Sequence, residues 1–327
     1  MTSSADKPIV TVLTAPDEKE PPGLDALRQR AEVRFASDEA SLRETLPGTR
    51  VMMVTDFRTE ALAAAWPTAD KLEWIHATSA GVDALMFPAL IDGDVTVTNA
   101  QGIFDRTIAE YVLCSILMFC KDFPKSIRLQ QAHEWKHRET ERAQGQRLLV
   151  VGAGSIGRQI ARLAAGVGLN VHGTARTARQ DDPDFEAVHS NEALVEQLGL
   201  ADFVVVAAPL TPQTQGLFDR KAFQAMKRSA RFINIGRGPI VRTDDLVASL
   251  QAGEIAGACL DVFEEEPLPP EHPLWDMDNV LTTAHMAGDF IGWRAALTDQ
   301  FLDNFDRWQM GESLFNRVDK KLGYAAK

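Results

Sequence analysis

The sequence predicts two α/β domains, each built around a parallel sheet. At 327 residues the chain has the length of about two domains. Short apolar runs alternate with stretches of helical periodicity, and this alternation is typical of parallel strands connected by helices. A glycine-rich stretch in mid-chain, Arg147–Gly157, combines a strand, a tight turn and a helix start, and it opens the second α/β run.

The first α/β run has no phosphate-binding glycine motif after its first strand. Its expected strands are Ile9–Leu13, Val33–Phe35, Val51–Val54, Leu72–His76 and Val95–Thr98. Its expected helices are Leu24–Arg30, Glu39–Leu46 and Thr59–Ala65. The small-residue turn Ser79–Asp83 follows a strand, and backbone N–H groups exposed in such a turn suit a carboxylate. Considered alone, a turn of this kind is more often structural.

A long apolar helix and a polar connector join the two runs. The helix is expected over Ile103–Cys120, and its broad apolar surface predicts burial between domains or between subunits. The connector Lys121–Gln146 is expected to be partly helical and to form a domain hinge or a dimer contact. His133 and His137 have the spacing of helix-borne metal ligands, but the glutamate of the H-E-x-x-H pattern is missing, so no metal site is expected.

The mid-chain glycines fall where a dinucleotide-binding turn requires them. The run Leu148–Val151 is expected to be a buried strand, and Arg158–Gly166 has helical spacing. Gly152 permits a tight turn, Gly154 lets the backbone approach a pyrophosphate, and Gly157 lets the helix pack closely on the strand. N–H groups at the helix start then face the phosphates. Because a strand precedes the motif and a helix follows it, a dinucleotide site is favoured over an ordinary glycine-rich turn.

The strand–helix alternation continues behind this motif. Further strands are expected at Val171–Thr174, Phe203–Ala207, Phe232–Ile235, Gly257–Leu260 and Val280–Thr283. With the glycine motif in the first turn, the pattern predicts a doubly wound dinucleotide domain. A last helix, Trp293–Met310, lies beyond this domain and is expected to return to the first one.

Composition and charge restrict the possible functions. Apolar residues make up 45% and charged residues 24% of the chain, as in globular proteins with a full core. A net charge of −12 disfavours nucleic acid and anionic membranes as partners. Cys114, Cys120 and Cys259 lack metal-ligand spacing and are expected to be reduced core residues. The N-terminal segment is not apolar and no apolar run reaches about 18 residues, so we expect a cytoplasmic protein.

The end of the second strand in the doubly wound run bears on the choice of nicotinamide coenzyme. An acidic residue about 20 residues after the first glycine usually holds the ribose hydroxyls. Ala175 occupies that place here, and Arg176 and Arg179 follow it. Because arginine pairs well with a 2′-phosphate, this stretch favours NADP(H) over NAD(H). The alternative is that Arg176 is a surface arginine and the acid is simply absent.

Three ionisable residues follow three successive strands of the same sheet. Arg237 lies in Asn234–Gly238, a run of glutamates precedes Pro267, and His285 lies in Thr283–Gly288. Ligands bind at the carboxyl ends of parallel strands in such sheets. A single strand-end histidine is more often structural, and a run of glutamates is more often solvated. Together, behind a nucleotide motif, these residues fit hydride transfer to a carbonyl.

On these motifs the chain resembles the D-isomer-specific 2-hydroxyacid dehydrogenase family. The resemblance rests on SAGVD, NAQG followed by AEY, GAGSIG, APLTPQT, NIGRG, LDVFEEEP and TAHMAG, in the family's order and spacing over nearly the whole chain. It implies a flavodoxin-like substrate domain made of residues 1–102 and 291–327, and a Rossmann coenzyme domain of residues 103–290. It also implies a homodimer and a small 2-oxo or 2-hydroxy acid as substrate.

The resemblance assigns the catalytic roles to Arg237, Glu266 and His285. Arg237 would pair with the substrate carboxylate and polarise the ketone oxygen, and backbone N–H groups near Ala80 and Gly81 would hold the other carboxylate oxygen. His285 would donate a proton to the ketone oxygen as hydride arrives. Glu266 would hydrogen-bond the imidazole and favour its charged form.

The resemblance also implies the coenzyme contacts. Asp261 is expected to hold the nicotinamide carboxamide, and Thr214 and the backbone of Ile235 are expected to contact the coenzyme. The expected coenzyme is NADP, with NAD as the alternative. The full set of expected cofactor-binding residues is Gly152, Gly154, Ser155, Ile156, Gly157, Arg176, Pro209, Thr214, Ile235, Arg237, Asp261, His285 and Gly288.

The chain departs from the family pattern at positions that remove no catalytic group. Ala284 stands where many members have proline, Phe104 where a polar residue is common, and Ser155 where arginine is common. Within the run Glu264–Glu266, the family pattern selects the glutamate directly before Pro267.

The leading interpretation is an NADP(H)-preferring reductase of a small 2-oxo acid such as glyoxylate or hydroxypyruvate. A formate- or phosphite-type dehydrogenase is one alternative, which Glu266 disfavours because formate enzymes have glutamine near the histidine. A dinucleotide-sensing, corepressor-like protein is another. The substrate side chain would contact loops of the first domain, where Arg58 could bind a second carboxylate or face solvent.

Overall fold

The computed structural model describes residues 7–55 and 60–325, and its contacts divide the chain into two units. The first unit comprises Met1–Ile103 and Phe290–Lys327, and the second comprises Phe104–Asp289. These bounds lie within one residue of the expected ones. The predicted position Arg58 and the start of the helix expected at Thr59–Ala65 lie outside the described residues.

Strands and helices alternate along the described chain. The strands are β1 Ile9–Leu13, β2 Glu32–Ala36, β3 Thr49–Val54, β4 Trp74–Ala77, β5 Thr96–Thr98, β6 Arg147–Val151, β7 Asn170–Ala175, β8 Ala187–Ser190, β9 Phe203–Val206, β10 Arg231–Asn234, β11 Gly257–Leu260, β12 Val280–Thr282, β13 Val318–Asp319 and β14 Tyr324–Ala325. The helices are α1 Asp25–Arg28, α2 Glu39–Thr45, α3 Ala61–Ala65, α4 Pro88–Asp92, α5 Asp105–Cys120, α6 Phe123–Gln131, α7 Ser155–Gly166, α8 Leu194–Leu198, α9 Arg220–Ala225, α10 Thr243–Gln251 and α11 Trp293–Met310.

The first unit is built on a five-stranded parallel sheet with the strand order β2-β1-β3-β4-β5. This is the order of flavodoxin-like sheets, so the predicted fold class is confirmed for this unit. One face of the sheet packs on a core that includes Leu42 of α2 and Leu62 of α3. The other face packs on α11, where the Phe301 ring stacks on Trp74 with centroids 5.2 Å apart. The first sheet is therefore covered on both faces, and α11, which comes late in the chain, covers one of them.

The second unit is built on a seven-stranded parallel sheet with the order β12-β11-β10-β9-β6-β7-β8. The order reverses at β6, as in doubly wound dinucleotide-binding sheets, and this confirms the predicted Rossmann fold class. The strand β8 was not predicted, because its residues AVHS do not form an apolar run. It pairs in parallel with β7, the strand that ends at Ala175, and so forms the edge of the sheet on that side.

The expected burial of α5 between domains or subunits is wrong for its main apolar face. Ile108, Val112 and Ile116 belong to the same core cluster as Ile160 of α7, inside the second unit. The helix is apolar because it covers one face of the dinucleotide sheet. The expectation of buried cysteines is also wrong at one position, since Cys114 is exposed while Cys120 and Cys259 are buried.

The connector after α5 is helical over α6 and irregular beyond it. His133 lies in a turn with φ of 57° and His137 lies outside regular structure, so the two do not share a helical face. In residues 7–55 and 60–325 no cluster of three His, Cys, Asp or Glu side chains is arranged to hold a metal. Nor does any helix in this part of the chain have the length and hydrophobicity to cross a membrane.

Candidate active site

The three motif glycines meet three different steric requirements. Gly152 has φ of 110°, and a Cβ there would lie 2.7 Å from the Ala207 carbonyl carbon. A Cβ on Gly157 would lie 2.1 Å from the Gly152 oxygen, so α7 packs directly on the turn. A Cβ on Gly154, by contrast, would meet no atom within 4 Å. Gly154 is also the N-cap of α7, which no side chain caps, and open space at an uncapped helix N-terminus fits the pyrophosphate of a dinucleotide.

Arginine follows the second strand of this sheet where an acid would hold the ribose of NAD. Ala175 ends β7, and Arg176 is exposed directly after it. Arg179 has a structural contact, since its Nε donates to Asp182 at 3.1 Å and its backbone pairs with Val188 of β8. The contact of Arg176 with a 2′-phosphate stays a prediction.

The segment after Arg176 is attached to α7 by buried ion pairs. The Asp182 carboxylate, 1% exposed, accepts two hydrogen bonds of 2.8 Å from Arg158. Asp184 accepts from Arg158 at 2.7 Å and from Arg162 at 2.6 Å. The Arg158 hydrogen bonds outweigh the effect of burial and lower the pKa of Asp182 to about 2. The 176–184 segment is thus fixed to the helix that begins at the glycine turn.

A buried asparagine shapes the turn that carries Arg237. Asn234 ends β10 and is 1% exposed. Its Nδ2 donates to the Arg237 carbonyl at 3.2 Å, and its Oδ1 accepts from the Gly236 N–H at 3.1 Å. The Arg237 Nη1 donates to the Gly236 carbonyl at 2.9 Å. The turn after β10 is therefore closed on itself by side-chain hydrogen bonds.

Glu266 is the glutamate that contacts His285. Its Oε2 lies 2.8 Å from the His285 Nδ1, and its Oε1 accepts the Phe263 N–H at 2.9 Å. Partial burial acts to raise the pKa of Glu266, but the hydrogen bonds from His285 and Phe263 and the charge of Arg237 bring it below its ordinary value. Glu264 binds elsewhere, accepting the Thr243 N–H at the start of α10 at 2.6 Å.

Asp261 holds the backbone around His285. Asp261 directly follows β11 and exposes 2% of its surface. Its Oδ1 accepts a hydrogen bond from the Met286 N–H and its Oδ2 accepts one from the Ala287 N–H, each at 2.9 Å. The Asp261 carbonyl accepts the His285 N–H at 2.8 Å. A coenzyme contact was predicted for Asp261 from the family resemblance, whereas this structural contact was not predicted. The coenzyme contact stays a prediction.

The remaining predicted contacts lie at the same sheet edge or in the other unit. Thr214 Oγ1 donates to the Pro209 carbonyl at 2.7 Å, in the turn after β9. Ile235 is 8% exposed after β10, Ser155 and Ile156 begin α7, and Gly288 packs against Phe104. Ala80 and Gly81 belong to the first unit, where their carbonyls accept from Asn99 Nδ2 and Ser79 Oγ, both at 2.6 Å.

Two hydroxyl-bearing residues beside Asp261, Tyr111 and Thr283, were not predicted to belong to the site. The Tyr111 and Thr283 hydroxyls are hydrogen-bonded at 2.7 Å, although the two residues are 172 positions apart in the chain. Thr283 Oγ1 also donates a hydrogen bond to Asp261 Oδ1. Tyr111 stands in the AEY motif, but the motif gave its hydroxyl no role. Its partner could not be identified without the fold.

Known proteins resemble the chain in sequence and structure. A family model described as the NAD binding domain of D-isomer specific 2-hydroxyacid dehydrogenases matches residues 113–287. Glyoxylate/hydroxypyruvate reductase A of Serratia proteamaculans is 29% identical over 262 residues, covering 78% of this chain and 82% of that protein.

Two solved structures resemble nearly the whole chain. A D-isomer specific 2-hydroxyacid dehydrogenase from Xanthobacter autotrophicus Py2, in complex with NADPH and MES, has a TM-score of 0.82 at 33% identity. The NADPH-dependent glyoxylate/hydroxypyruvate reductase of Sinorhizobium meliloti, in complex with NADP and sulfate, has a TM-score of 0.83 at 29% identity. Each match covers 98% of this chain and 100% of the other.

Proposed function

Because the chain belongs to the D-isomer specific 2-hydroxyacid dehydrogenase family, whose members are NAD(P)-dependent oxidoreductases, we propose that it reduces a small 2-oxo acid to the D-2-hydroxy acid with NADPH as the preferred coenzyme. The observation that carries the proposal is the 2.8 Å contact between His285 and Glu266, with the charge of Arg237 acting on the same carboxylate. An acid, its ionic partner and an anion-binding arginine are the groups that reduction of a 2-oxo acid requires.

Each of these groups has a distinct chemical task. Bound reduced nicotinamide supplies the hydride. Arg237 pairs with the substrate carboxylate and polarises the ketone oxygen. His285 uses Nδ1 to donate to Glu266, and its Nε2 carries the proton that reaches the ketone oxygen. The ionised Glu266 stabilises the imidazolium before transfer and orients the ring. In the oxidative direction the neutral imidazole accepts the proton from the hydroxyl.

Glyoxylate and hydroxypyruvate are the substrates we propose first. The Serratia and Sinorhizobium relatives carry these two acids in their names, and the chain covers most of each relative. The proposal gives the backbone N–H groups of Ala80 and Gly81 a role in binding the substrate carboxylate.

NADPH preference follows from the end of β7. Ala175 occupies the position at which an acidic residue would repel a 2′-phosphate. The exposed Arg176, which follows it, supplies a positive charge. The NADP or NADPH named in two of the similar structures supports this choice for the present chain.

We also propose a homodimer. The helix α6 buries none of its residues within the described chain, and Phe123, Ile127 and Trp135 expose 51%, 46% and 103% of their surface. A second copy is a natural cover for such apolar surface. Light scattering during size-exclusion chromatography distinguishes a dimer from a monomer of 36.0 kDa.

The proposed function is tested by following the absorbance of reduced nicotinamide with a panel of 2-oxo acids. Glyoxylate, hydroxypyruvate, pyruvate, phenylpyruvate and 2-oxoglutarate are each combined with NADPH and with NADH. We expect turnover of the small acids, with NADPH used at lower concentration than NADH. Coenzyme binding without turnover of any acid would overturn the reductase proposal and favour a sensor or a formate- or phosphite-type enzyme.

A further inference from the structure

A row of hydroxyls connects α5 to the loop that carries His285. The Tyr111 hydroxyl oxygen lies 2.7 Å from the Thr283 hydroxyl, and Thr283 Oγ1 lies 2.5 Å from Asp261 Oδ1. The same Asp261 oxygen accepts the Met286 N–H. The row therefore extends from the core helix, through one threonine, to the residue after His285.

The hydrogen bonds in this row have a fixed direction. An ionised carboxylate is an acceptor only, so the single Thr283 hydroxyl proton points to Asp261. Thr283 must then accept from Tyr111, whose proton points to Thr283. Burial raises the pKa of Tyr111, which keeps the phenol protonated as a donor. Each bond in such a row polarises the next and strengthens it.

The row ends at a backbone that needs support. His285 has φ of 51°, in the left-handed region that non-glycine residues rarely adopt, and such conformations persist when surrounding contacts hold them. Asp261 supplies those contacts on both sides of His285, from its carbonyl to the His285 N–H and from its carboxylate to the next two N–H groups. Displacement of the Asp261 carboxylate would break its hydrogen bonds to the Met286 and Ala287 N–H groups and would weaken the support of the His285 backbone.

We propose that Tyr111 and Thr283 are positioning residues for proton transfer, which orient the Asp261 carboxylate and thereby hold His285 in its left-handed conformation. Neither hydroxyl touches the reacting atoms. This inference rests on the proposed role of His285 as the proton donor, and it predicts that a change in the core of α5 alters turnover without a change in any substrate-binding residue.

The test compares Tyr111→Phe, Thr283→Val and Thr283→Ser with Ser115→Ala. Ser115 lies one helical turn after Tyr111, is buried, and donates to the Tyr111 carbonyl. Its hydroxyl accepts from the Cys259 thiol, which lies 3.3 Å from the Tyr111 hydroxyl, but it does not contact Thr283 or Asp261 in the hydrogen bonds that form the row. Its replacement therefore removes a neighbouring buried hydroxyl and leaves the bonds from Tyr111 through Thr283 to Asp261 in place. Two readouts are measured on each full-length variant. One is kcat with the best 2-oxo acid, and the other is amide hydrogen exchange of residues 284–288.

We expect kcat to fall about 3- to 10-fold in Tyr111→Phe, on the scale of one neutral hydrogen bond. Thr283→Val, which removes a donor to a charged group, should reduce it about 10- to 100-fold. Exchange of the Met286 and Ala287 amides should accelerate in both variants. Thr283→Ser keeps the hydroxyl and should restore kcat to within about 3-fold of the unmodified protein, and Ser115→Ala should change neither readout.

Several outcomes would overturn the inference. An unchanged kcat in Thr283→Val would do so, as would failure of Thr283→Ser to restore it or an equal loss in Ser115→Ala, which would indicate general packing. If the unmodified protein reduces no 2-oxo acid, the proposed function has failed. The exchange rates of Met286 and Ala287 then decide by themselves whether Tyr111 and Thr283 hold the His285 segment.

Discussion

Gly238 lies so close to Phe263 that a Cβ on residue 238 would come within 1.8 Å of the Phe263 carbonyl oxygen. Phe263 in turn donates its N–H to Glu266. The contact brings the turn after β10, which carries Arg237, against the turn after β11, which carries the partner of His285. The spacing of the proposed catalytic groups thus depends on a residue without a side chain.

Replacing Gly238 with alanine should separate these two turns. The methyl group meets rigid backbone, so we expect the protein to lose about 1–3 kcal/mol of unfolding free energy, as in overpacked cores, and to lose most of its turnover. Gly154→Ala is the matched control for stability, because its Cβ would meet open space. It should fold normally and bind coenzyme more weakly. Urea unfolding and coenzyme titration measure both effects, and equal stability of the two variants would contradict the steric argument.

Removal of either proposed substrate-binding group should abolish turnover while the fold persists. His285→Ala removes the proton donor, and we expect kcat to fall by about 100-fold or more. Arg237→Ala removes the partner of the substrate carboxylate, and kcat/KM should fall at least as far. Circular dichroism and coenzyme fluorescence check folding and coenzyme binding. An active His285→Ala enzyme would show that another group delivers the proton.

The adjacent glutamates Glu265 and Glu266 should respond differently to neutralisation. Glu266→Gln keeps the shape of the side chain but removes the charge beside the imidazole, so we expect a loss of about 10- to 100-fold in kcat. Glu265 is exposed, and Glu265→Gln should leave kcat unchanged. Steady-state rates with a saturating 2-oxo acid make the comparison. Similar losses in both variants would show that the overall negative charge matters rather than the contact with His285.

Regular elements were predictable where local signals agree. The helix Trp293–Met310 was predicted with its observed bounds, and in the structure it is flanked by Gly292 and Gly311, whose φ values are 93° and 70°. The strand Ala187–Ser190 was missed because its four residues carry no apolar pattern. It owes its place to hydrogen bonds with a neighbouring strand that sequence periodicity does not record.

The site was predictable at the strand ends but not behind them. Parallel strands bring their carboxyl ends to one edge, so Arg237, the glutamates before Pro267 and His285 could be grouped from sequence order, and the family resemblance then selected Glu266. The contact between Tyr111 and Thr283 spans 172 positions and depends on how α5 packs on the sheet. A hydrogen bond between residues so far apart in the chain is seen only once the fold is known.

Arg176 should determine the coenzyme preference. Arg176→Ala removes the charge proposed to bind the 2′-phosphate, so we expect KM for NADPH to rise about 10-fold or more and KM for NADH to change little. Arg179→Ala is the contrasting variant, since Arg179 contacts Asp182. It should affect stability more than preference. Initial rates with each coenzyme give both constants, and equal changes in the two KM values for Arg176→Ala would remove the phosphate role.

Acid should destabilise the protein partly through Asp182. Its hydrogen bonds with Arg158 lower its pKa from 3.8 to about 2 in the folded state, so the unfolded chain binds a proton first as the pH falls. The stabilisation, about 2 kcal/mol, is fully present above about pH 5 and is lost progressively as the pH falls through 3.8 towards about 2. Asp182→Asn should therefore be less stable than the unmodified protein near neutral pH, and the difference should shrink in acid.

Asp181→Asn provides the control for this pH dependence, because Asp181 is the exposed neighbour of Asp182. Other carboxylates titrate in the same range, but they do so in every variant, so the difference between variants isolates the single residue. Urea midpoints measured between pH 3 and pH 7 give that difference directly. A constant gap between Asp182→Asn and the unmodified protein across this range would mean that Asp182 contributes by packing rather than by its charge, and the buried pair with Arg158 would then have no part in the acid response.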